Sequence, residues 1–313
     1  MPEYGSTERH PLLSLILLLL LIGVGAIVFT ILGAFAGYVL YGTADLLRFF
    51  SGDFSNNLNL TKLIQIASSV GMFVAPALFF ARMESNDWTG YLKFNSFPVI
   101  LFLLAVLIMF CSSPLLQLSV ELNKSMKLPS FMQGIENWMR HQEDLGIEVT
   151  KQLLQMNSLT ALAVNLIMLA ILPALGEELI FRGSLQKIFT KLIANYHVAI
   201  WLTAIIFSAF HMQFYGFLPR MLLGAMFGYL LIWSNSIWIP ILAHFTNNAV
   251  AVISAYVYQR KGLSLDKLDQ PETYSPVYYI ASFIITAALL WFFYKQSQQK
   301  YLLTDQKNGT KLD

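Results

Sequence analysis

Residues 12–40 read LLSLILLLLLIGVGAIVFTILGAFAGYVL, an unbroken run that contains no Asp, Glu, Lys or Arg. The hydrocarbon core of a bilayer is about 30 Å thick, so a helix of about 20 apolar residues crosses it. A helix is expected because it pairs its own backbone polar groups where no water is present. The run is too long for the apolar region of a signal peptide. It therefore predicts an uncleaved first membrane helix.

Further apolar stretches follow this run. They are residues 61–81, 98–118, 159–193, 197–211, 218–233, 237–258 and 276–294. In the whole chain of 313 residues, 56% are hydrophobic and 12% are charged, whereas soluble domains carry about 25% charged residues. This composition excludes a soluble enzyme. We expect an all-α polytopic membrane protein with about eight transmembrane helices in one bundle.

The net charge and the cysteine content exclude further classes of partner and site. The net charge of +2 is too small to indicate a nucleic-acid partner. Cys111 is the one cysteine in the sequence, which excludes an internal disulfide and a multi-cysteine metal site.

Changes in polarity divide the chain into three segments. Residues 1–158 contain the N-terminal membrane helices and end in a polar connector, residues 120–158, whose charges are of both signs. Residues 159–258 contain most of the ionisable side chains that interrupt apolar runs. Residues 259–313 form the last membrane helix and a polar tail. We interpret the connector as a solvated amphipathic surface, with a surface that recruits substrate as the alternative.

Ionisable side chains inside membrane helices are costly unless they are paired or hydrated, so each of them is a candidate for function. The first cluster is Glu177, Glu178 and Arg182. Residues four apart share a helix face, which predicts that Glu178 pairs with Arg182. Glu177 is turned about 100° away from that face, which leaves its carboxylate for chemistry. The alternative interpretation is an interfacial ion pair at the end of a helix, which accounts for Glu178 and Arg182 but not for Glu177.

Two more clusters follow, one at the end of the stretch 197–211 and one within the stretch 237–258. Phe207 and His211 are four residues apart, and so are His244 and Asn248. His244 and Asn248 are expected to share one helix face, whereas Asn247 is interpreted as a packing amide.

These side chains suit the hydrolysis of a carbonyl compound. Glu177, assisted by one histidine, would take a proton from water, while the other histidine and Asn248 would donate hydrogen bonds to the oxyanion. The alternative is a catalytic zinc ion held by Glu177, His211 and His244. The H-E-x-x-H zinc motif and the G-x-S-x-G serine motif are absent, and Cys111 lies far from the clusters in sequence.

Three motifs in one order carry a family resemblance. They are E-E-x-x-x-R, F-x-x-x-H and H-x-x-x-N, at Glu177, Glu178, Arg182, Phe207, His211, His244 and Asn248. Together they resemble the CPBP intramembrane protease family, also called the Abi or type II CAAX prenyl endopeptidase family. The resemblance covers residues 159–258, which would be a CPBP-type catalytic core in an eight-helix fold.

The resemblance also implies roles for these residues. Glu177 and His211 would activate water, and His244 and Asn248 would form the oxyanion hole. The supporting residues would be Glu178, Arg182 and Phe207. Members of the family have been interpreted as metalloproteases, with zinc as the cofactor, and also as glutamate proteases, which need no cofactor. We favour the second, because the Asn248 amide suits an oxyanion donor better than a zinc ligand.

The expected function is therefore an intramembrane endopeptidase that cleaves a membrane-associated or lipidated protein or peptide. Family members cleave prenylated CAAX proteins, process bacteriocin leaders or confer immunity. The expected partners are membrane lipid and the substrate, and the expected location is the bacterial inner membrane. The alternatives are a non-proteolytic immunity or binding protein of the same fold and a solute transporter. A transporter built from two matching halves is disfavoured, since the polar clusters occur in one half only.

Overall fold

The chain forms a set of helices, most of them long and apolar. The computed structural model describes residues 9–267 and 274–307, and the end of the predicted polar tail, residues 308–313, lies outside the described residues. All regular secondary structure in the described ranges is helical, which confirms the all-α expectation. The helices of the first half are α1 (Pro11–Phe50), α2 (Leu58–Ser69), α3 (Ala75–Glu84), α4 (Trp88–Tyr91), α5 (Val99–Ser125) and α6 (Gln133–Leu153).

The second half continues in the same way. Its helices are α7 (Leu159–Leu166), α8 (Leu172–Ile180), α9 (Gln186–Ile193), α10 (Tyr196–Phe210), α11 (Phe217–Ser234), α12 (Trp238–Arg260) and α13 (Pro276–Lys307). Three π-helical turns join consecutive helices without a break. They are Val70–Val74 between α2 and α3, Ile167–Ile171 between α7 and α8, and Phe181–Leu185 between α8 and α9.

Six helical stretches of the described residues are long and apolar enough to cross a membrane. They are Pro11–Phe50, Leu58–Glu84, Val99–Ser125, Leu159–Ile193, Phe214–Ser234 and Pro276–Gln299. The protein is therefore an integral membrane protein.

The predicted count of eight spans is not confirmed. The two remaining stretches do form helices, α10 and α12, but neither is among the six. Helix α10 has 15 residues, which corresponds to about 22 Å at 1.5 Å per residue and falls short of the hydrocarbon thickness. Helix α12 has 23 residues, and the polar side chains of His244, Asn247 and Asn248 lower its hydropathy.

The described residues group into two compact units. The first unit contains the chain up to Phe94 together with Leu172–Thr203. Within it, α1 packs on α2 at Gly33, where a Cβ atom would lie 2.8 Å from the Cβ of Ala67. The close approach of these helices therefore requires a residue without a side chain at position 33.

The second unit contains Asn95–Ile171 and the described residues from Ala204 onwards. Its core is a buried apolar cluster contributed by α5, α11, α12 and α13. The polar connector contains the amphipathic helix α6, which Glu143 attaches to the chain before α11 by accepting a hydrogen bond from the Tyr215 amide at 3.1 Å. The predicted segment boundaries at residues 158 and 258 stay a prediction.

Candidate functional site

The first polar cluster lies on α8 and the π-helical turn that follows it. Glu177 and Glu178 are in α8, and Arg182 is in the turn Phe181–Leu185. The turn is stabilised by the Ser184 hydroxyl, which donates to the carbonyl of Leu179 at 3.0 Å. π-Helical turns within α-helices occur frequently at functional sites.

Glu178 and Arg182 form the predicted ion pair. Arg182 Nη1 donates to Glu178 Oε1 at 2.8 Å, and both side chains are 0% exposed. Glu177 is only half-buried. The spacing argument is thus confirmed for the pair, and the two neighbouring carboxylates have different environments.

Gly176 fixes the position of both glutamates within the first unit. A Cβ atom at this residue would lie 2.6 Å from the Cβ of Phe73 and 3.2 Å from Cγ2 of Val74. Both neighbours belong to the π-helical turn Val70–Val74. Helix α8 therefore rests directly on this turn, and a side chain at position 176 would displace it.

In the second unit, His211 directly follows the last residue of α10. Its Nδ1 lies 2.9 Å from the carbonyl oxygen of Phe207. A carbonyl only accepts hydrogen bonds, so a neutral His211 carries its proton on Nδ1 and has its acceptor nitrogen at Nε2. In this tautomer Nε2 can accept a hydrogen bond.

Phe207 contacts both histidines of the predicted site. Its ring centroid lies 5.2 Å from that of His211 and 6.0 Å from that of His244, in edge-to-face geometry. His244 is 5% exposed and stacks on Phe227, with centroids 5.2 Å apart and planes 18° apart. Aromatic packing therefore brings both imidazoles into contact with one phenylalanine.

Asn248 is positioned by two hydrogen bonds. Its Nδ2 donates to the carbonyl of Leu169 at 3.2 Å, and its Oδ1 accepts from Asn247 Nδ2 at 3.1 Å. Leu169 belongs to the π-helical turn Ile167–Ile171. Asn247, interpreted from the sequence as a packing amide, thus orients Asn248. The side-chain amide of Asn248 carries a second N–H beyond the one bound to Leu169.

A cavity of about 390 Å³ borders His211 in the second unit. Its other lining residues are mostly from α6, and they include the apolar side chains of Leu145 and Val149. The amphipathic helix of the connector therefore forms one wall of the space beside this histidine.

The comparisons with known proteins point to the same part of the chain. Residues 159–250 match the family model described as type II CAAX prenyl endopeptidase Rce1-like. We call residues 159–250 the Rce1-like segment, after the family model that they match. The family resemblance is confirmed over this segment, and it supports a membrane peptidase of the CAAX-protease type at the level of the family. All seven predicted site residues lie inside the Rce1-like segment.

The Rce1-like segment also resembles part of a curated bacterial protein. An uncharacterised protein of Bacillus subtilis (strain 168), YpbD, is 29% identical to this chain over 90 residues. The match includes 28% of this chain and 43% of the relative. The chain thus spans less than half the length of the curated relative that it matches. No solved structure matches the chain significantly.

The alternative with a zinc ion was examined against the described residues. In residues 9–267 and 274–307, no group of three or more His, Cys, Asp or Glu side chains is arranged to hold a metal ion. Zinc held by Glu177, His211 and His244 stays a prediction, and the mechanism proposed below uses no metal.

Sequence reasoning missed two buried amides in the Rce1-like segment. Asn165 is 0% exposed and donates to the carbonyl of Leu153 at 2.8 Å. Gln186 is 2% exposed, and neither polar atom of its side chain has a hydrogen-bond partner among the described residues. The criterion that found Asn247 and Asn248, a polar side chain inside an apolar run, also finds these two amides when it is applied to every amide of the segment.

Proposed function

We propose that this protein is an intramembrane endopeptidase of the CAAX-protease type that hydrolyses a membrane-associated or lipidated protein or peptide. One observation carries the proposal. The three motifs chosen for their chemistry all lie within residues 159–250, which match a family of prenyl endopeptidases. The chain is also an integral membrane protein, which suits a substrate that resides in lipid.

In the proposed mechanism, Glu177 takes a proton from a water molecule. His211 is proposed to assist the activation of water through Nε2, which can accept a hydrogen bond. The water oxygen forms a bond to the peptide carbonyl carbon, and the carbonyl oxygen becomes an oxyanion. The C–N bond then breaks, and Glu177 gives its proton to the leaving amine. Atoms and charges balance without a further reactant.

His244 and Asn248 are proposed to stabilise the oxyanion. The second N–H of the Asn248 amide is a donor that the Leu169 carbonyl does not use. Phe227 and Phe207 restrict the ring of His244. The imidazole therefore loses little conformational freedom when it donates a hydrogen bond to the developing oxyanion. The Glu178–Arg182 pair is proposed to support the helix that carries Glu177.

The proposal also includes the partners, the location and the cofactor. The partners are membrane lipid and the peptide or protein substrate, without nucleic acid, and the location is a bacterial inner membrane. No cofactor is required in this mechanism.

The test is a cleavage assay on the full-length protein in detergent, with libraries of farnesylated and unmodified peptides and mass spectrometry of the products. We expect cleavage by the wild type. His211→Ala should reduce the rate by about 10²-fold or more, because it removes the group that assists Glu177 in activating water. His244→Ala should reduce it by about 10²–10³-fold, as expected for a lost oxyanion donor. The matched control is His197→Ala, which removes an exposed histidine.

Two outcomes would contradict the proposal. Retained cleavage in both histidine variants would exclude their catalytic roles, and no cleavage of any peptide by the wild type would favour the binding or immunity function. A parallel assay with a chelator, together with the metal content of the purified protein, tests the cofactor. If the purified protein contains one equivalent of metal and a chelator stops cleavage, a zinc mechanism would take the place of direct water activation by Glu177.

A further inference from the structure

Helix α6 of the polar connector carries apolar side chains that the structure leaves exposed. Phe131, in the 3₁₀ turn Ser130–Met132 that leads into α6, is 84% exposed. Four residues of α6 itself are between 37% and 48% exposed, and they are Ile135, Trp138, Leu145 and Val149. Single apolar residues on a protein surface need no explanation, whereas a group of them on one face marks an interaction surface. Their arrangement around the helix therefore decides what they do.

The four exposed apolar residues of α6 share one narrow face. At about 100° per residue they fall within about 80° of one another around the helix axis. On one side of this face lie the buried or half-buried residues that pack on the protein, which are Glu136, Met139, Glu143, Gly146 and Ile147. On its other side lie exposed polar residues, which are Asn137, His141, Asp144 and Glu148. Helix α6 therefore has an apolar face that is separate from both its protein-packed face and its polar face.

The neighbouring spans place α6 at the surface of the bilayer. The membrane-spanning helix α5 (Val99–Ser125) precedes it, and the stretch Leu159–Ile193 follows it. The structure describes all residues between these two stretches, and no further candidate span lies among them. Helix α5 therefore ends, and the next span begins, on the same side of the membrane, with α6 between them.

Contacts within the second unit hold α6 against the beginnings of two spans. Leu153, the last residue of α6, accepts a hydrogen bond from Nδ2 of Asn165 in the following span at 2.8 Å. Nearer the beginning of α6, the ring of Trp138 lies 5.3 Å from that of Phe214, the first residue of the stretch Phe214–Ser234. Because two separate points of α6 meet the beginnings of spans, the helix runs along the bilayer surface.

We propose that α6 is an interfacial membrane helix, whose apolar face enters the bilayer at the boundary between headgroups and acyl chains. Such helices combine a polar face with an apolar face that lies about 5–10 Å deep in this boundary. Trp138 suits this depth, since tryptophan is enriched at both membrane–water interfaces. The partner is lipid, because lipid surrounds the spans at the level where α6 contacts them.

This location also determines what the cavity beside His211 borders. Leu145 and Val149 line that cavity and belong to the apolar face of α6. The cavity therefore lies at the depth of the lipid headgroups, where a lipidated or membrane-associated peptide would meet it. The use of the cavity by a peptide rests on the proposed function, whereas the position of α6 does not.

The experiment measures the depth of each face of α6 with spin labels at single cysteines. The full-length protein is reconstituted into phosphatidylcholine vesicles in a Cys111→Ala background, since Cys111 is the one cysteine in the sequence. Ile135→Cys and Leu145→Cys carry the label on the apolar face. The matched controls are Asn137→Cys and Asp144→Cys on the polar face. All four positions are exposed, so the label does not enter the core, and circular dichroism checks that each labelled protein is folded.

Electron paramagnetic resonance compares collisions of the label with oxygen, which concentrates in lipid, and with a nickel chelate, which stays in water. We expect a higher ratio of oxygen to nickel collisions at positions 135 and 145 than at both controls. Calibrated with labelled lipids, the ratio at position 135 should correspond to a depth of about 5–10 Å.

Two results would overturn the proposal. A ratio at position 135 or 145 no higher than at the controls would place the apolar face in water. Few collisions with either reagent at position 135 would show that protein, such as a second copy of this chain, covers the face instead of lipid. The measurement does not use cleavage, so its outcome is independent of peptidase activity.

Discussion

Two Glu–Arg pairs in this protein have the same spacing and different surroundings. Glu178 and Arg182 on the α8 stretch are 2.8 Å apart, and Glu136 and Arg140 on α6 are 2.6 Å apart. In the first pair both side chains are 0% exposed, whereas Arg140 in the second is 47% exposed. The same local pattern thus gives one ion pair inside a membrane-spanning stretch and one on an amphipathic helix.

The comparison shows that the i,i+4 spacing predicts the contact, whereas burial decides how much stability is lost when the contact is broken. In water, an i,i+4 pair competes with hydration and contributes little. In an apolar interior, neither charge has water as an alternative, so each depends on the other. A buried pair of this kind is costly to break, and the following predictions measure that difference.

The largest effect is expected for Arg182→Gln. This change leaves the Glu178 carboxylate buried without its cation, which costs about 3–5 kcal/mol in comparable cases. Unfolding of the purified protein with SDS in mixed micelles measures the loss. The double variant Glu178→Gln/Arg182→Gln removes both charges and should recover more than half of it. If the double variant is less stable than Arg182→Gln alone, the cost does not come from an uncompensated charge.

An intermediate effect is expected for Gly176→Ala. The added methyl group would lie 2.6 Å from the Cβ of Phe73, and overpacking of this kind costs about 1–3 kcal/mol. Gly134→Ala on α6 is the matched control, since nothing lies within 4 Å of a Cβ atom there. In that helix, alanine should stabilise by up to about 1 kcal/mol. Equal effects of the two substitutions in the same SDS titration would show that α8 is not closely packed at Gly176.

The smallest effect is expected for the Glu136–Arg140 pair, in which the arginine is exposed. Arg140→Gln should destabilise the protein less than Arg182→Gln does, because Glu136 keeps its hydrogen bond from the Leu128 amide. Hydrogen bonds from Arg140 and from the Leu128 amide lower the pKa of Glu136. A lowered pKa in the folded state stabilises the protein above the ordinary glutamate pKa of about 4.3 and ceases to do so as the pH falls through the lowered value.

Thermal unfolding from pH 7 to pH 3 tests this pH dependence. The difference in Tm between the wild type and Glu136→Gln should be largest at pH 7 and should shrink below about pH 4. A difference that grows on acidification would contradict the sign of the pKa change.

The sequence predicts the local part of the site and leaves the tertiary part open. Glu178 and Arg182 are found from spacing alone because both lie on one stretch of helix. The contacts of His244 with Phe227 and of Asn248 with the Leu169 carbonyl join separate helices. No periodicity within one segment reveals such partners, and hydropathy does not distinguish the π-helical turn that contains Leu169 from the α-helices on either side of it.

The fold shows the same limit. All eight apolar stretches were located from hydropathy, and all of them are helical. Length and composition support six of them as spans, because α10 is short and α12 carries the polar residues of the predicted site. The polar residues that lower the hydropathy of α12 are also residues of the predicted site.

The central claim is that the Glu177 carboxylate activates water, and the rate of peptide cleavage by Glu177→Gln tests it most directly. Glu148→Gln on α6 is the matched control, since Glu148 is exposed and the change is the same. The account predicts that Glu177→Gln lowers the rate by at least about 10²-fold, as expected for a lost general base, and that Glu148→Gln retains it. Wild-type cleavage by folded Glu177→Gln would contradict the account.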